Sequence, residues 1–576
     1  MSEKINIIKK NPADFKIEPN LKNYQETYRN FSWGKIDNEI EYFSDGKINA
    51  AYNAIDRHLK TDARQKLALL WENDHGESQK FTFEELAELS GKVANILKKL
   101  GVQSGDRVFL FLPRIPELYY CFLGILKTGA IAGTLFQAFG PAGIKDRLEN
   151  SGARFLITHS SLIKRVEEIK NELPKLEKII DVSGVYENFD FPKERELALP
   201  EFEIAHLEPE DRAFMLYTSG TTGKPKGVVH SHKAIIQEYL TAKWVLDIRS
   251  EDMYWCTADP GWVTGIAYEI LGSWANAATA LIYDGRFSPD KWYSLIDKHN
   301  VTIWYTAPTA IRMLMKAGKD LIKKYSFKSL RHLASVGEPL NPEAIRWGLE
   351  VFKKPFHDNW WQTETGAICI ANYPAMDIKV GSMGKPFPGI QAGIVGDDGR
   401  ELEAGKEGNL ALRPGWPSMM LEIWENPEKY QTYFKNNWYI SGDRAWRDTD
   451  GYFWFMGRAD DVIKTAGERV GPFEVESALL EHPAVAEAGV IGKPDVERGE
   501  IIKAFCVLHP GKVQSEQLKE EISEFVKKNL AGHAYPREIE FVKTLPKTRS
   551  GKIMRRVLKA KEMGLPVGDT STLEEY

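Results

Sequence analysis

The sequence predicts a large α/β protein, and three observations carry that reading. Between residues 81 and 158 helical and strand patterns alternate, the same alternation recurs from 232 to about 340, and residues 390–455 break into short strands separated by Gly- and Asp-containing turns. Strands separated by helices imply largely parallel sheets covered on both faces. Two such stretches imply two α/β sheet halves, and the turn-rich stretch implies a small antiparallel β subdomain. Beyond Arg458 come a helix, two strands, a further helix and a basic tail, with no shift of composition to mark a boundary there.

The elements follow in order. Residues 1–60 are polar and aromatic, with helices expected at Leu21–Phe31 and Asn49–His58. Thr82 and Glu85 form a capping box, Leu86, Leu89, Val93, Leu97 and Leu100 recur at helical spacing, and Gly101 closes the helix. Arg107–Leu112 follows as a strand, Pro116 opens a helix to about Lys127, and Ala130–Phe136 is the next strand. Ile144–Asn150 and Arg154–Thr158 make a third unit. His232–Val245 has helical period, with strands at Thr279–Tyr283, Thr302–Thr306 and His332–Val336. Late in the chain come a helix at Pro472–Glu481, strands at Ala486–Ile491 and Lys503–Leu508, and a helix at Ser515–Leu530.

Composition narrows the class. The 576 residues are 43% hydrophobic and 27% charged with a formal net charge of -5, which speaks against a generally basic nucleic-acid binder. The opening residues hold no apolar run of the signal-peptide kind. Leu118–Phe136 is interrupted by Lys127 and three glycines, so it reads as buried helix plus strand and not as a membrane span. The four cysteines, Cys121, Cys256, Cys369 and Cys506, fit no metal or disulfide spacing. The cytoplasm is the simplest home, and oligomeric state is left open.

The chemistry centres on Tyr217–Gly227, Tyr-Thr-Ser-Gly-Thr-Thr-Gly-Lys-Pro-Lys-Gly, in which seven of eleven residues are Gly, Ser or Thr. Apolar residues on both sides make it a turn between two strands. Its glycines let backbone N–H groups converge on an anion. Thr218, Ser219, Thr221 and Thr222 add donors, and Lys224 and Lys226 add charge. The loop suits a polyphosphate, yet it is not a Walker loop, because Pro225 stands where the second glycine after Gly220 would fall.

This loop resembles the phosphate loop of the adenylate-forming superfamily, which includes acyl-CoA synthetases, peptide-adenylation domains and luciferases. Later stretches narrow the likeness to acetyl-CoA synthetases in a shorter bacterial form, from about Leu21 onward. The resemblance implies an N-terminal domain over 1–459, a mobile C-terminal domain over 460–576 hinged at Asp460, and ATP, coenzyme A and Mg2+ as substrates and cofactor. It places Thr218, Ser219, Gly220, Thr221, Thr222, Gly223 and Lys224 on the ATP phosphates. In Ser335-Val-Gly-Glu-Pro339, at the end of an apolar strand, it sets Gly337, Glu338 and Pro339 beside adenine.

Asp358-Asn-Trp-Trp-Gln-Thr-Glu-Thr-Gly366 says most about the substrate. The family reading puts Asp358, Asn359, Trp360, Trp361, Gln362 and Thr363 around the nucleotide and Glu364 on magnesium, a hard cation that a carboxylate suits. Val263, Thr264 and Val336 would line the acyl pocket, and Trp361 would close it. An indole there is a steric wall that excludes butyrate and longer acids, since overpacking outweighs about 0.8 kcal/mol per buried methylene. Propionate differs by one methylene, so preference is predictable and exclusivity is not.

By the same resemblance Asp443 accepts from the ribose hydroxyls, while Arg458 and Arg469 serve the ribose and phosphates. Coenzyme A would meet Thr264, Ala466, Gly467 and Lys527. Ala466 stands where relatives often have serine, and Lys527 where they have arginine. The arginine-bearing segment of longer members is not recognisable near 158–170. Leu480, His482 and Val485 match backbone cation ligands, although a histidine before Pro483 also suits a plain helix end. Pro546–Arg556 carries five basic residues around a Ser-Gly turn. A solvated tail or a nucleic-acid patch would look similar. The family's catalytic lysine falls at Lys552, and acylation of Lys552 by a lysine acetyltransferase, reversed by a deacetylase, is implied as a silencing device. The substrates expected are acetate, ATP and coenzyme A, with no nucleic-acid and no membrane partner. Propionyl-CoA synthetase and a catalytically silent nucleotide-binding regulator remain as alternatives.

Overall fold

The structure is a computed structural model, and it describes residues 7–36, 39–218, 225–465, 468–530, 534–548 and 553–567. Two large sheets form the body. The first has seven strands. Its parallel part runs Arg212–Thr218, Ile131–Thr134, Arg107–Phe111, Phe155–Thr158 and Lys178–Asp181, and Lys226–Ser231 and Glu422–Ile423 add antiparallel strands at one edge. The second has nine strands. Phe356–Trp360, His332–Ser335, Ile303–Thr306, Met253–Cys256, Thr279–Asp284 and Leu67–Asn73 are parallel neighbours, and Ser78–Thr82 closes the edge.

The expected α/β alternation is what forms these sheets. The helix Phe83–Lys99 starts at the capping box, with Glu85 N–H donating to Thr82 Oγ1 at 3.1 Å and Thr82 N–H to Glu85 Oε2 at 2.7 Å. The helix Pro116–Thr128 is buried almost along its length, and Lys127 there pairs with Asp56 Oδ1 at 2.7 Å. Among the described residues no helix is long and apolar enough to cross a membrane. All four cysteines are buried and free.

Several elements differ from expectation. The first helix is only Tyr24–Asn30, because the Asn23 side chain accepts from Glu26 N–H and caps it late. Asn49 caps the short helix Ala50–Ala54, and the backbone then tightens to a 3-10 turn over Asp56–Lys60. The helix after the phosphate loop, Ala234–Trp244, has no polar face: Gln237, Glu238 and Thr241 are as buried as its leucine. A helix buried all round shows no amphipathic stripe for a sequence to display. The hairpin Leu67–Asn73/Ser78–Thr82 was not anticipated; its first strand pairs with Thr279–Asp284 across about two hundred residues of chain.

The antiparallel subdomain is present as expected, built from Ala392–Val395, Glu407–Leu412, Trp438–Arg447, Phe434–Lys435 and Phe453–Arg458. After Arg458 a separate five-stranded sheet follows. Glu468–Val470, Ile463–Thr465, Gly499–Leu508, Val485–Asp495 and Glu538–Phe541 pack with the helices Pro472–Leu480 and Glu516–Asn529 around their own apolar core, which includes Val475, Leu479, Val490, Ile522 and Val526.

Candidate active site

The two parallel sheets end on one cavity of about 1930 Å³. Its walls include Thr218, Val263, Thr264, Val336, Gly337, Glu338, Pro339, every residue from Asp358 to Glu364, Asp443, Arg458 and Asp460. Six separate stretches of sequence thus meet at one place, as expected of ligand sites outside the carboxyl ends of parallel strands.

Register explains part of this convergence. His332–Ser335 and Phe356–Trp360 are parallel neighbours with Ser335 beside Asp358, so Gly337–Pro339 and Asp358–Trp361 leave the sheet side by side. Asn359 ties them together, donating from Nδ2 to Ser335 O at 2.9 Å and accepting Tyr305 OH at 3.0 Å. Gly337 has φ of +93°, a conformation that a side chain would strain. The Glu338 carboxylate is held away from its own backbone by Thr309 Oγ1 at 2.6 Å and Arg312 Nη2 at 2.7 Å. Asp358 is buried, which pushes its carboxyl well above the usual range despite the Asn359 N–H that it accepts.

Asp443 is held by three side chains. Its Oδ2 accepts Trp360 Nε1–H at 2.8 Å and Gln362 Nε2–H at 3.0 Å, and its Oδ1 lies 3.2 Å from Arg458 Nη1. Gln362 is oriented by Tyr439 OH at 2.8 Å, and Gly442 (φ +76°) makes the turn that presents the aspartate. A buried carboxylate in such a frame is preorganised to accept from a diol.

At another edge of the cavity, Arg212–Thr218 and Lys226–Ser231 pair antiparallel with Thr218 opposite Lys226. Ser219, Gly220, Thr221, Thr222, Gly223 and Lys224 lie outside the described residues. Thr218 Oγ1 is buried and has no hydrogen-bond partner among the described residues. Glu364 Oε1 sits 2.6 Å from Lys226 Nζ and accepts Tyr433 OH at 2.9 Å. Burial pushes the Glu364 carboxyl up, but the Lys226 ammonium more than offsets it, and the net pKa lies below the usual value. An ionised carboxylate on the cavity wall fits a hard divalent cation. The sequence reading counted Lys226 only as charge in the loop and missed the pairing. Thr309 and Arg312 went unread altogether, since one helical turn of Thr and Arg carries no signal of the glutamate it holds.

The residues expected at an acyl pocket share the cavity wall. Trp361 stands edge-on to Tyr268, with centroids 5.1 Å apart at 82°, and its Nε1–H reaches Tyr305 OH at 3.3 Å. Val263, Thr264 and Val336 share the cavity, and Thr264 precedes the π-helix Gly265–Leu271 that carries Tyr268.

The small domain contributes the remaining wall. Lys547, Thr548, Ile553, Met554 and Arg555, which flank Lys552 on both sides, line the cavity; Lys552, Ala466 and Gly467 lie outside the described residues. Arg469 belongs to the strand Glu468–Val470; its side chain lies outside the description. At Asp460 the chain leaves the antiparallel sheet, with Arg458 Nε 3.5 Å from its carboxylate.

Lys527 is not brought to the cavity. It sits on the outer helix Glu516–Asn529, 3.1 Å from Glu524. Leu480, His482 and Val485 lie at the end of the helix Pro472–Leu480. There His482 Nδ1 accepts Ala484 N–H at 3.2 Å and its carbonyl accepts Val485 N–H at 3.0 Å, the geometry of a helix-closing turn. Among the described residues no cluster of three or more His, Cys, Asp or Glu is placed to hold a metal.

Two parallel sheets ending on one cavity, with a small α+β domain at its mouth, are the fold of an AMP-binding enzyme, as the family matches of this chain show. Residues 55–424 match the AMP-binding enzyme family and residues 474–552 match the AMP-binding enzyme C-terminal domain. Acetyl-coenzyme A synthetase of Bacillus subtilis (strain 168) is 56% identical over 96% of this chain and 98% of its own length, and that of Methanothrix thermoacetophila is 44% identical over 92% and 86%. The chain belongs to this family, in its acetyl-coenzyme A synthetase branch. Among solved structures it is similar to the anthranilate CoA ligase AuaEII (TM-score 0.83, 33% identity, 90% of this chain and 97% of that one). A Brucella canis acyl-CoA synthetase is also similar (TM-score 0.74, 35% identity, 94% and 99%).

Proposed function

We propose that the protein is an AMP-forming acetate:CoA ligase. The carrying observation is Trp361, held against Tyr268 and Tyr305 where it walls the cavity beside Val263, Thr264 and Val336. In the first half-reaction an acetate oxygen attacks the α-phosphorus of ATP, the new C–O–P bond forms and pyrophosphate leaves. Asp443 holds the ribose, the backbone around Gly337–Pro339 borders adenine, and Thr218 with its loop receives the departing phosphates. Glu364 would hold a magnesium ion whose charge offsets that of the phosphates. Lys552 would contact the acyl and α-phosphoryl oxygens, where negative charge builds.

In the second half-reaction the coenzyme A thiol loses its proton and attacks the acyl carbon, and AMP leaves. Rotation of residues 460–576 about Asp460 would withdraw Lys552 and bring the Gly467 face inward, since both cannot occupy one place. Support for the starting arrangement is that Lys547, Thr548, Ile553 and Met554 line the cavity, whereas no described residue of 463–470 does. The proposal includes a cytoplasmic location and silencing of the enzyme by acylation of Lys552.

The test is acid-dependent ATP–pyrophosphate exchange across acetate, propionate and butyrate, with acetate expected to dominate. Lys552→Ala should lose exchange by at least about 10²-fold yet keep thioester formation from supplied acetyl-AMP. Equal loss of both half-reactions would refute the role of Lys552, and absence of acetate-dependent exchange would refute the ligase.

A further inference from the structure

We propose that Arg555 is a positioning residue for the first half-reaction, acting through Glu476 to aim the segment that carries Lys552. This rests on the reading of Lys552 given above. Arg555 is the first residue of the helix Arg555–Glu562 and lines the cavity. Its Nε donates to Glu476 Oε1 at 2.8 Å and its Nη2 to Glu476 Oε2 at 2.5 Å, a two-pronged pair with both side chains largely buried (17% and 6% exposed). Glu476 is itself fixed on the helix Pro472–Leu480, and its Oε1 also accepts Val490 N–H at 2.9 Å. A two-pronged Arg–carboxylate pair constrains orientation as well as distance, which a lysine ammonium cannot do.

The other end of the segment is secured in a similar way. Lys547 pairs with Glu487 at 2.6 Å, Lys547 and Ile553 bridge antiparallel, and Met554 N–H donates to Pro546 O at 2.8 Å. The described residues on either side of Lys552 are therefore each tied to the domain by an ion pair, Lys547 to Glu487 and Arg555 to Glu476. Arg555 Nη1 also lies 3.6 Å from Asp461, the residue after the proposed hinge. The same guanidinium thus touches the small domain's first helix and the start of that domain, beside the cavity wall.

A buried ion pair that only supported folding would lower both half-reactions together, because the whole domain would be loosened. A positioning pair should act on one of them. Arg555→Gln and Glu476→Gln are each expected to lower acetate-dependent pyrophosphate exchange by about 10²-fold, the scale of an ångström of misplacement. Thioester formation from supplied acetyl-AMP should stay at the parental rate. Arg555→Lys, which keeps the charge and is the variant best placed to fold, should recover part of the exchange. The double variant should be no worse than either single one, because both remove the same contact.

Equal losses in the two half-reactions of the Arg555→Lys enzyme, or additive losses in the double variant, would overturn the proposal. If Lys552→Ala retained exchange, the underlying reading would fail instead. Loss in Lys552→Ala with full exchange in Arg555→Gln would overturn this inference alone.

Discussion

Trp361→Ala offers the sharpest test of the substrate. The indole is pinned on two sides, by the edge contact to Tyr268 and by the hydrogen bond to Tyr305 OH. It cannot swing aside for a longer acid without giving up both. Forcing butyrate against it should cost about 1–3 kcal/mol of overpacking. Once the ring is gone that penalty vanishes, and each of two further methylenes gains about 0.8 kcal/mol on burial. The kcat/KM for butyrate should therefore rise by roughly 3–5 kcal/mol, on the order of a thousandfold. Acetate itself should lose about tenfold, having lost the wall it rests on. Acid-dependent ATP–pyrophosphate exchange with acetate, propionate, butyrate and octanoate reads this directly. An unchanged butyrate-to-acetate ratio in a folded Trp361→Ala enzyme would refute the steric wall, as would ready use of octanoate by the parent.

Two further outcomes follow from the geometry. Asp443→Ala removes the acceptor framed by Trp360, Gln362 and Arg458, so the KM for ATP should rise by about 10- to 100-fold, measured by exchange at saturating acetate; an unaltered KM would remove the ribose from Asp443. Glu343, on the helix Pro342–Phe352, faces the small domain, and burial followed by the Glu481 carboxylate pushes it up to about 7 while Arg346 at 2.7 Å opposes the rise. Because its folded pKa exceeds the ordinary value of about 4.3, its contribution is greatest in acid and declines as pH rises through about 7. Glu343→Gln should flatten the fall in melting temperature between pH 5.5 and 8, and an identical slope in both proteins would count against it.

Much of the site was readable because its parts are local. The Trp-Trp-Gln-Thr-Glu string and the Gly-Asp turn are each contained within ten residues, and both come to the cavity wall. The capping box at Thr82 and Glu85 is local in the same way and forms as read. What went unread is what local pattern does not encode. The helix Ala234–Trp244 shows no stripe because it is buried on all sides. Lys527 matched a family position, yet its helix points it toward Glu524 and away from the cavity.

The sequence alone determined the alternation of helices and strands and the capping box that opens Phe83–Lys99, since these depend on side chains close together in the chain. Only the tertiary structure decided which of them meet. Parallel register sets Ser335 beside Asp358, sheet packing carries Lys226 to Glu364 and Trp360 to Asp443, and the small domain's own core brings Arg555 to Glu476. Those contacts span tens to hundreds of residues, and it is the burial of apolar surface in the whole fold that offsets the entropy of bringing such distant groups together.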